Sequence, residues 1–398
     1  MSQSNAQPSI LWFQLIGLSL VQGAITLTWL LYRLYVPQLL TTFGFPGLFP
    51  TILVIENALG VIIEPLAGNF SDCQRQWMGT RFPFISLGVI LASGLFIAIP
   101  SFYIFGQSLN SLHWIFPILL ILWAVAMALF RSPVTALLGQ YAIETKLPQA
   151  MSILIFIGGI VGAIRPISSE FILSLGSGVT FTVGSLVLLG SVAVLRYFNP
   201  DLSVIPQSEQ PHQELYLKNL VFIASLGLFG AWGTRFILGE IFPQVIKNSG
   251  GNVKWMMFTG LILLAFASIP AGLIAVKIGN TKATLIGLIA TSILLIPLSF
   301  FSHSILFLFL LFLIASYSLV ANGIIPIAFS LVPPHKAGLG IGVYFAAFSL
   351  AMSGYDFIVK QPGTVNLFIS SGLGIIAFLM IAILINFIPK LTTSTSTS

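Results

Sequence analysis

Apolar runs of roughly 20 residues recur along the whole chain, and each run is long enough to cross about 30 Å of hydrocarbon as a helix. Only 7% of the 398 residues are charged, whereas 57% are hydrophobic. Soluble proteins carry about 25% charged residues, so this chain has too few charges to cover a surface that faces water. The sequence therefore predicts an all-α membrane protein with many spans.

Twelve such runs can be counted, and a transmembrane helix is predicted for each of them. The predicted spans are residues 11–36, 50–68, 83–105, 114–139, 149–171, 179–197, 219–245, 254–276, 283–301, 304–331, 337–359 and 364–388. With the N-terminus inside, about nine basic residues fall in cytoplasmic loops and about three in outer loops, as the positive-inside rule demands. Both termini are therefore predicted to be cytoplasmic.

The chain also contains weak internal repetition. The Pro-Gln pair at residues 37–38 recurs at 243–244, an offset of 206, and Gly68 has a counterpart in Gly272, an offset of 204. Offsets this similar indicate a duplicated unit, which is common in transporters.

The most polar stretch of the chain lies between the sixth and seventh spans. It predicts a cytoplasmic linker, residues 199–216, between two pseudo-symmetric halves of six helices each. The first half is expected to comprise residues 1–198. The second half is expected to comprise residues 217–398, including a short polar tail.

The loop after the second predicted span, Gly68 to Phe84, reads GNFSDCQRQWMGTRFPF. Gly68 and Gly79 permit close helix approach and tight turning. Asp72 can cap a neighbouring helix or pair with Arg81. Such contacts would hold the two halves together in one state and break in another, which predicts a gating loop. The alternative is a loop that serves only as a topological anchor.

Two halves of six helices, with a basic, glycine-containing loop after the second helix of each half, resemble the major facilitator superfamily. The first loop reads Gly-x-x-Ser-Asp, six residues, Gly-x-Arg-x-Pro-Phe. This spacing resembles the sucrose/proton symporters and the wider glycoside-pentoside-hexuronide symporters. The segment RSPVTALLGQY, residues 131–141, resembles the Pro-x-x-Ala-Leu-Leu-x-Asp segment of that group. It has Gln140 in place of the acid and Thr135 where the sucrose carriers place arginine.

The resemblance implies a major facilitator fold and secondary active transport of a small solute by alternating access. It favours a sugar or glycoside moved together with protons, in a monomer that spans a bacterial cytoplasmic membrane. Facilitator folds build their cavity mainly from spans one, four, seven and ten. The resemblance thus puts Arg33, Arg131 and Arg235 on cavity helices.

Ionisable residues at membrane depth need a partner or a water-filled cavity. Glu56 and Glu64, both on the second span, are the candidates for proton coupling, because burial favours the protonated form of a carboxyl group. Depth along the helices suggests that Glu56 pairs with Arg33, and a static ion pair is the alternative to a coupling role. Glu64 has no arginine at its depth on the first span. Asp356, near an outer end, is expected to be exposed to solvent.

The candidates for solute binding are guanidinium groups with aromatic side chains beside them. Guanidinium offers a planar fork of donors to a carboxylate, a phosphate or sugar hydroxyls. Trp29 precedes Arg33 by four residues and Trp232 precedes Arg235 by three, so each pair shares a helix face. The full candidate set is Trp29, Arg33, Arg131, Trp232, Arg235 and Glu240. The alternative for the aromatic side chains is packing.

Several motifs are absent from the sequence. It has no phosphate-binding GxxxxGK[ST] loop, and its four histidines are scattered, so neither ATP hydrolysis nor a metal site is expected. No nucleophile motif, cofactor site or nucleic-acid partner is predicted, and an enzyme is not expected. Two alternatives to solute uptake remain: an exporter of an amphipathic compound, or a membrane assembly factor on the same scaffold, resembling the bacteriochlorophyll-associated carriers.

Overall fold

The computed structural model describes residues 9–106, 113–199, 215–248, 252–298, 306–359 and 365–393. Within these ranges the chain consists of helices with short connections, and only one isolated β-bridge, between Ile10 and Ala142, is formed. The prediction of an all-α protein is therefore confirmed.

Twelve helices are long and apolar enough to cross a membrane, in agreement with the twelve predicted spans. They are α1 (Trp12–Thr42), α2 (Phe49–Met78), α3 (Phe82–Phe105), α4 (Ile115–Tyr141), α5 (Glu144–Ala163), α6 (Ser177–Tyr197), α7 (Leu217–Asn248), α8 (Val253–Ile278), α9 (Asn280–Leu298), α10 (Phe309–Ser330), α11 (Pro334–Phe357) and α12 (Leu367–Phe387). Below, α1–α6 are called the first half and α7–α12 the second half.

Most of the predicted boundaries differ from the structure by a few residues, and two predicted ends differ by eight residues or more. The second span was expected to end at residue 68, but α2 continues to Met78, because its polar last part is still helical and packs against α11. The fifth span was expected to reach residue 171, but α5 ends at Ala163 and a separate short helix, Arg165–Ser174, follows. Pro166 is the second residue of that helix; a proline has no N–H to donate to the preceding turn.

Helix α7 contains a π-helical segment, Phe236–Ile241, directly after Arg235. Segments of this kind are rare and occur frequently at functional sites. Here the wider turn brings Arg235 and Glu240 onto one side of the helix, where both contact Tyr355.

The two halves touch mainly where α2 packs against α11 and where α5 packs against α8. Small residues let these backbones approach closely, as is usual between membrane helices. A Cβ added at Gly68 would lie 2.0 Å from the carbonyl oxygen of Gly338, and one added at Gly342 would lie 2.4 Å from that of Glu64. Gly68 therefore lies within α2 and allows α11 to approach closely, and it does not form the turn that the sequence suggested.

The end of the bundle that carries Gly79 and Arg81 is called the loop end below, and the opposite end is called the far end. At the far end, Glu170 of the first half forms an exposed ion pair with Lys254 of the second half. Lys254 lowers the pKa of Glu170 by hydrogen bonding and by its charge. Most of the predicted linker, residues 200–214, and the last residues of the polar tail, 394–398, lie outside the described residues.

Candidate functional site

The loop end is held together by the carboxylate of Asp72, which is fully buried in α2. Arg81 approaches it with Nη2 2.6 Å from Oδ1, so the expected ion pair is present. The amide nitrogens of Gly338 and Leu339 also donate to it, at 2.9 Å and 2.8 Å. These two amides belong to the first turn of the α-helical part of α11, which begins at Ala337 after a 3₁₀ turn. The helix dipole favours a negative charge there. Asp72 thus joins the first half to the second.

Further contacts surround this joint. Gly79 ends α2 with φ at 74°, a left-handed conformation that glycine adopts without strain. Arg75 donates to the carbonyl oxygen of Pro334 at 3.1 Å, and Lys336 donates to Asn69 at 3.4 Å. The loop end is therefore closed by several hydrogen bonds between the halves.

Glu64, deeper in α2, forms a buried ion pair that sequence reasoning did not find. Its Oε1 lies 2.6 Å from Nη2 of Arg131 in α4, and its side chain is 0% exposed. The same Nη2 lies 3.4 Å from the hydroxyl of Ser349 in α11, and the guanidinium lies 4.4 Å from the centre of the Phe345 ring. The pair therefore joins two helices of the first half and touches the second half at the same time.

Glu56 precedes Glu64 by about two turns of α2, and its partner differs from the predicted one. The hydroxyl of Tyr32 donates to Oε1, while Oε2 is buried without a hydrogen-bond partner. The expected ion pair with Arg33 is not formed: among the described residues, no carboxylate oxygen lies within 4.0 Å of Arg33. The Arg33 guanidinium instead lies 6.0 Å from the centre of the Trp29 ring system.

The aromatic residues around Glu56 form a packed group. Tyr32 stacks on Trp123 with ring centres 4.4 Å apart, and Trp29 meets both rings edge-on. Trp29 remains partly exposed. The group fixes the position of the Tyr32 hydroxyl and thereby that of Glu56.

Glu56 and Glu64 of α2 border a small cavity of about 30 Å³. Its wall is formed by Trp29, Glu56, Asn57, Gly60, Glu64, Ala124, Met127, Ala128, Arg131 and Ser349. A water molecule needs at least about 10–15 Å³, so the cavity has room for one or two waters but not for an organic solute. Glu64, beside this cavity, is fully buried, whereas Arg131 remains 23% exposed.

Glu240 in α7 is fully buried, with partners for both of its oxygens. The hydroxyl of Tyr355 donates to Oε1, and Oε2 accepts from the amide of Val365 at 3.2 Å and from Gln244 at 3.5 Å. These contacts link α7 to α11 and to the start of α12. Both oxygens of Glu240 therefore accept hydrogen bonds from the protein itself.

Arg235 faces the interface between the halves. Its Nη2 lies 3.8 Å from Oδ1 of Asp356, and its guanidinium lies 4.7 Å from the centre of the Tyr355 ring. Asn57 of the first half lies 3.5 Å from the other oxygen of Asp356. The side chain of Asp356 is only 11% exposed, so the expectation that it would be solvent exposed is wrong.

Trp232, one turn before Arg235, is tied to the neighbouring helix. Its indole nitrogen donates to the carbonyl oxygen of Ala351 in α11 at 2.8 Å. Its ring meets that of Phe236 edge-on, and the side chain stays partly exposed. The contacts orient the indole, and part of its surface remains available.

Twelve helices long and apolar enough to cross a membrane, with charged side chains buried between them, define a membrane protein of many spans. The sequence profile of the Major Facilitator Superfamily matches residues 18–354, and the chain therefore belongs to this superfamily. It is a multi-pass integral membrane protein. No curated protein sequence matches the chain significantly.

Similar solved structures cover nearly the whole chain. The transporter FucP in the outward conformation has a TM-score of 0.69 and 12% identity, over 95% of this chain and 99% of that chain. The human organic anion transporter MFSD10 (TETRAN) has 0.68 and 13%, over 93% and 99%. An outward-facing bacterial homologue of the iron transporter ferroportin has 0.67 and 16%, over 94% and 98%. Likeness at such low identity extends to the fold alone.

Proposed function

We propose that the protein is a secondary active transporter that moves a small solute by alternating access, that the solute is a sugar or glycoside, and that protons drive it. The observation that carries the proposal is the Glu64–Arg131 ion pair at membrane depth, in which Glu64 is fully buried and Arg131, 23% exposed, contacts Ser349 of the other half. The loop end faces the cytoplasm in this proposal.

The ion pair provides a physical link between a proton and the access state. A buried carboxylate is stable only while its counter-charge is in place, and removal of one partner from a buried pair costs about 3–5 kcal/mol. When the halves separate, Arg131 loses Ser349 and can move. In the proposed cycle this separation occurs at the far end, and Glu64 takes up a proton from the outer side and becomes neutral. Closure of the far end returns Arg131, and Glu64 releases its proton to the cytoplasm when the loop end opens.

Glu56 is the second coupling residue of the proposal. It lies on the same face of α2 as Glu64, beside the same small cavity, and one of its oxygens has no hydrogen-bond partner. A water in this cavity would place the two carboxyl groups on one proton path.

The solute site is proposed between Trp29 and Arg33 of the first half and Trp232 and Arg235 of the second. Both indoles are partly exposed and oriented by their neighbours, as a stacking surface for a sugar ring requires. The spacing of the Gly68–Phe84 loop supports a sugar as the solute. One of the similar structures is that of the E. coli fucose:proton symporter FucP, a likeness in fold that agrees with this assignment.

The test is uptake of labelled sugars by proteoliposomes, measured with and without a pH gradient. The Glu64→Gln variant is expected to lose accumulation driven by the gradient. It should retain exchange of labelled for unlabelled solute, because exchange requires no net proton movement. Glu144→Gln is the matched control, since Glu144 is exposed at the loop end.

Other outcomes would contradict parts of the proposal. Full gradient-driven uptake by Glu64→Gln would exclude Glu64 as the coupling residue. Proton-driven efflux of an amphipathic compound without sugar uptake would favour an exporter. Absence of any flux, together with co-purification of a pigment–protein complex, would favour an assembly factor.

A further inference from the structure

A groove lies between α8, α9 and α10 of the second half. Its volume is about 520 Å³, within the range of about 300–1,000 Å³ that is usual for ligand pockets. Among its lining residues, Ile274, Ile293 and Phe312 are 44%, 59% and 57% exposed. Because these apolar side chains are exposed on helices that can cross a membrane, the groove opens to the hydrocarbon of the bilayer.

Small side chains shape this groove and make it apolar. Four of the eleven residues that line it are alanines: Ala267, Ala271, Ala290 and Ala315. The polar residue of the lining is Ser316, and its hydroxyl is already bound within the protein, to the carbonyl oxygen of Leu313 and the hydroxyl of Thr291, both at 3.1 Å. The groove therefore offers an occupant methyl groups and no free polar side chain, which suits a hydrocarbon chain.

The depth of the groove matches one leaflet of the bilayer. Along α8 it extends from Ile274 to Ala267, and Lys277 follows Ile274 by three residues. At about 1.5 Å per residue, the groove lies about 5 to 15 Å from Lys277 along the helix axis, towards the far end. One leaflet contributes about 15 Å of hydrocarbon, half of the core of about 30 Å. The groove is therefore at the depth of the acyl chains in the leaflet at the loop end.

Two lysines lie at the loop end of this groove. Lys277 is in the last turn of α8, and Lys282 is in the first turn of α9. Both are exposed, and within the described part of the chain neither has a carboxylate oxygen within 4.0 Å. Lys277 shares a helix face with Ile274, three residues away. Lys282 precedes Ile293 by eleven residues, about three turns, so both point to the same side of α9.

The internal repeat explains why these lysines have no acidic partner. The offset of 204 that relates Gly68 to Gly272 places Val276 where the first half has Asp72. In the first half Asp72 forms an ion pair with Arg81. The second half keeps basic residues at this connection but has lost the acid, so a counter-charge for them comes from outside the described residues.

We infer that the groove and its two lysines, Lys277 and Lys282, bind one phospholipid with an anionic headgroup. One acyl chain fills the groove, and the headgroup phosphate contacts the lysines. Basic residues between membrane helices are suited to acidic lipid headgroups, and the long lysine side chain reaches the headgroup region. This lipid site lies beyond the proposed transport function and does not depend on the solute or on proton coupling.

Native mass spectrometry of the purified full-length protein tests the site directly. The delipidated protein is titrated in detergent with phosphatidylglycerol and with phosphatidylcholine of the same acyl chains. Phosphatidylglycerol is expected to bind about 30-fold more tightly, the value of two basic residues that each contact an anionic lipid. Equal affinity for the two lipids overturns the inference.

The headgroup without its chains provides a second probe. Glycerophosphoglycerol carries the same phosphate as phosphatidylglycerol but has nothing to place in the groove. It should not displace phosphatidylglycerol when both are present at the same concentration. Full displacement would show a site for a soluble anion, to which the groove contributes nothing, and would overturn the inference.

Charge variants test the lysines. Lys277→Gln and Lys282→Gln are each expected to lower the affinity for phosphatidylglycerol about fivefold and to leave that for phosphatidylcholine unchanged. The control is Arg196→Gln, which also removes one exposed positive charge, at the end of α6 in the first half. Unchanged binding of phosphatidylglycerol in the double lysine variant contradicts the assignment, and so does an equal loss in the control.

Substitutions in the groove test the acyl chain separately. Ala315→Leu fills the groove from α10 and leaves both lysines in place, so the affinities for both lipids should fall several-fold. Ala290→Leu fills it from α9 and serves if the first variant does not fold. The control is Ala193→Leu, since Ala193 is exposed on α6 and lies outside the groove. Unchanged lipid binding in a folded groove variant overturns the inference.

The same spectra distinguish a lipid from a second copy of the chain as the occupant. A second copy would appear as a dimer that Ala315→Leu dissociates, without any preference for phosphatidylglycerol. That result would also overturn the lipid site.

Discussion

The replacement Asp72→Asn is expected to open the loop end of the bundle. It keeps the size of the side chain but removes the charge that two amides of α11 and Arg81 share. An amide oxygen can retain one of the hydrogen bonds from Gly338 and Leu339, now at 2.9 Å and 2.8 Å, but its NH₂ group must face the other donor. Hydrogen bonds to charged groups contribute about 1.5–3 kcal/mol and neutral ones about 0.5–1.5 kcal/mol.

These values set the size of the effect. Weakening one bond and losing the other destabilises the contact between the halves by about 2–4 kcal/mol. That shifts the equilibrium between closed and open loop ends by about 30- to 700-fold. The pair with Arg81 lies within the first half, so its loss lowers the stability of both states and adds little to the shift.

Distances between spin labels measure this equilibrium. The only cysteine of the chain, Cys73, is replaced by serine, and labels are attached through Gln76→Cys in the first half and His335→Cys in the second. Both positions are exposed at the loop end. With Asp72→Asn, the population at longer distance should increase in nanodiscs.

The control, Glu144→Gln, removes an exposed charge at the same end and makes no ion pair among the described residues. An unchanged distance distribution in a folded Asp72→Asn variant would refute the reasoning. An equal shift in the control would do so as well.

Two further substitutions test the packing of the same interface and the role of Glu240. Gly68→Ala places a Cβ 2.0 Å from the carbonyl oxygen of Gly338, so the helices must separate by about 1 Å and the same label distances should lengthen. Gly94→Ala, where a Cβ meets nothing within 4 Å, should leave them unchanged. Glu240→Gln is expected to lower the free energy of unfolding by about 1.5–3 kcal/mol through its bonds to Tyr355 and Val365. Thermal unfolding and solute titration check this, and a loss of affinity without loss of stability would contradict it.

The twelve spans could be predicted because helices in lipid satisfy their backbone internally and so require long apolar runs. The end of α2 could not be predicted by the same rule. Residues 69–78 are mostly polar, which suggests a loop. They nevertheless form a helix, because Asp72 and Arg75 have hydrogen-bond partners on α11. Tertiary contacts decide such a boundary, and hydropathy does not contain them.

The charged residues of the site could be found from the sequence, but most of their partners could not. Depth along the helices suggested Arg33 for Glu56, whereas the neighbouring residue Tyr32 takes that place. Adjacent residues on a helix point about 100° apart. A prediction that has the correct depth in the membrane but not the rotation of the helix about its axis can therefore choose the wrong one of two neighbouring side chains. Arg131 was recognised as a membrane arginine, but its pairing with Glu64 depends on α2 and α4 being neighbours, which only the fold establishes.

The buried glutamates of the two halves differ in how many of their carboxylate oxygens have hydrogen-bond partners. This difference bears on which of them can change its protonation state. Glu56 and Glu240 each accept a hydrogen bond from a tyrosine. Glu240 has partners for its second oxygen as well, so protonation would cost it existing bonds. Glu56 has a free second oxygen beside a cavity of water size, and Glu64 depends on an arginine that also contacts the other half. A change of protonation is therefore least costly at Glu56, and at Glu64 it becomes possible only when Arg131 moves away. The proton coupling proposed above depends on this difference from Glu240.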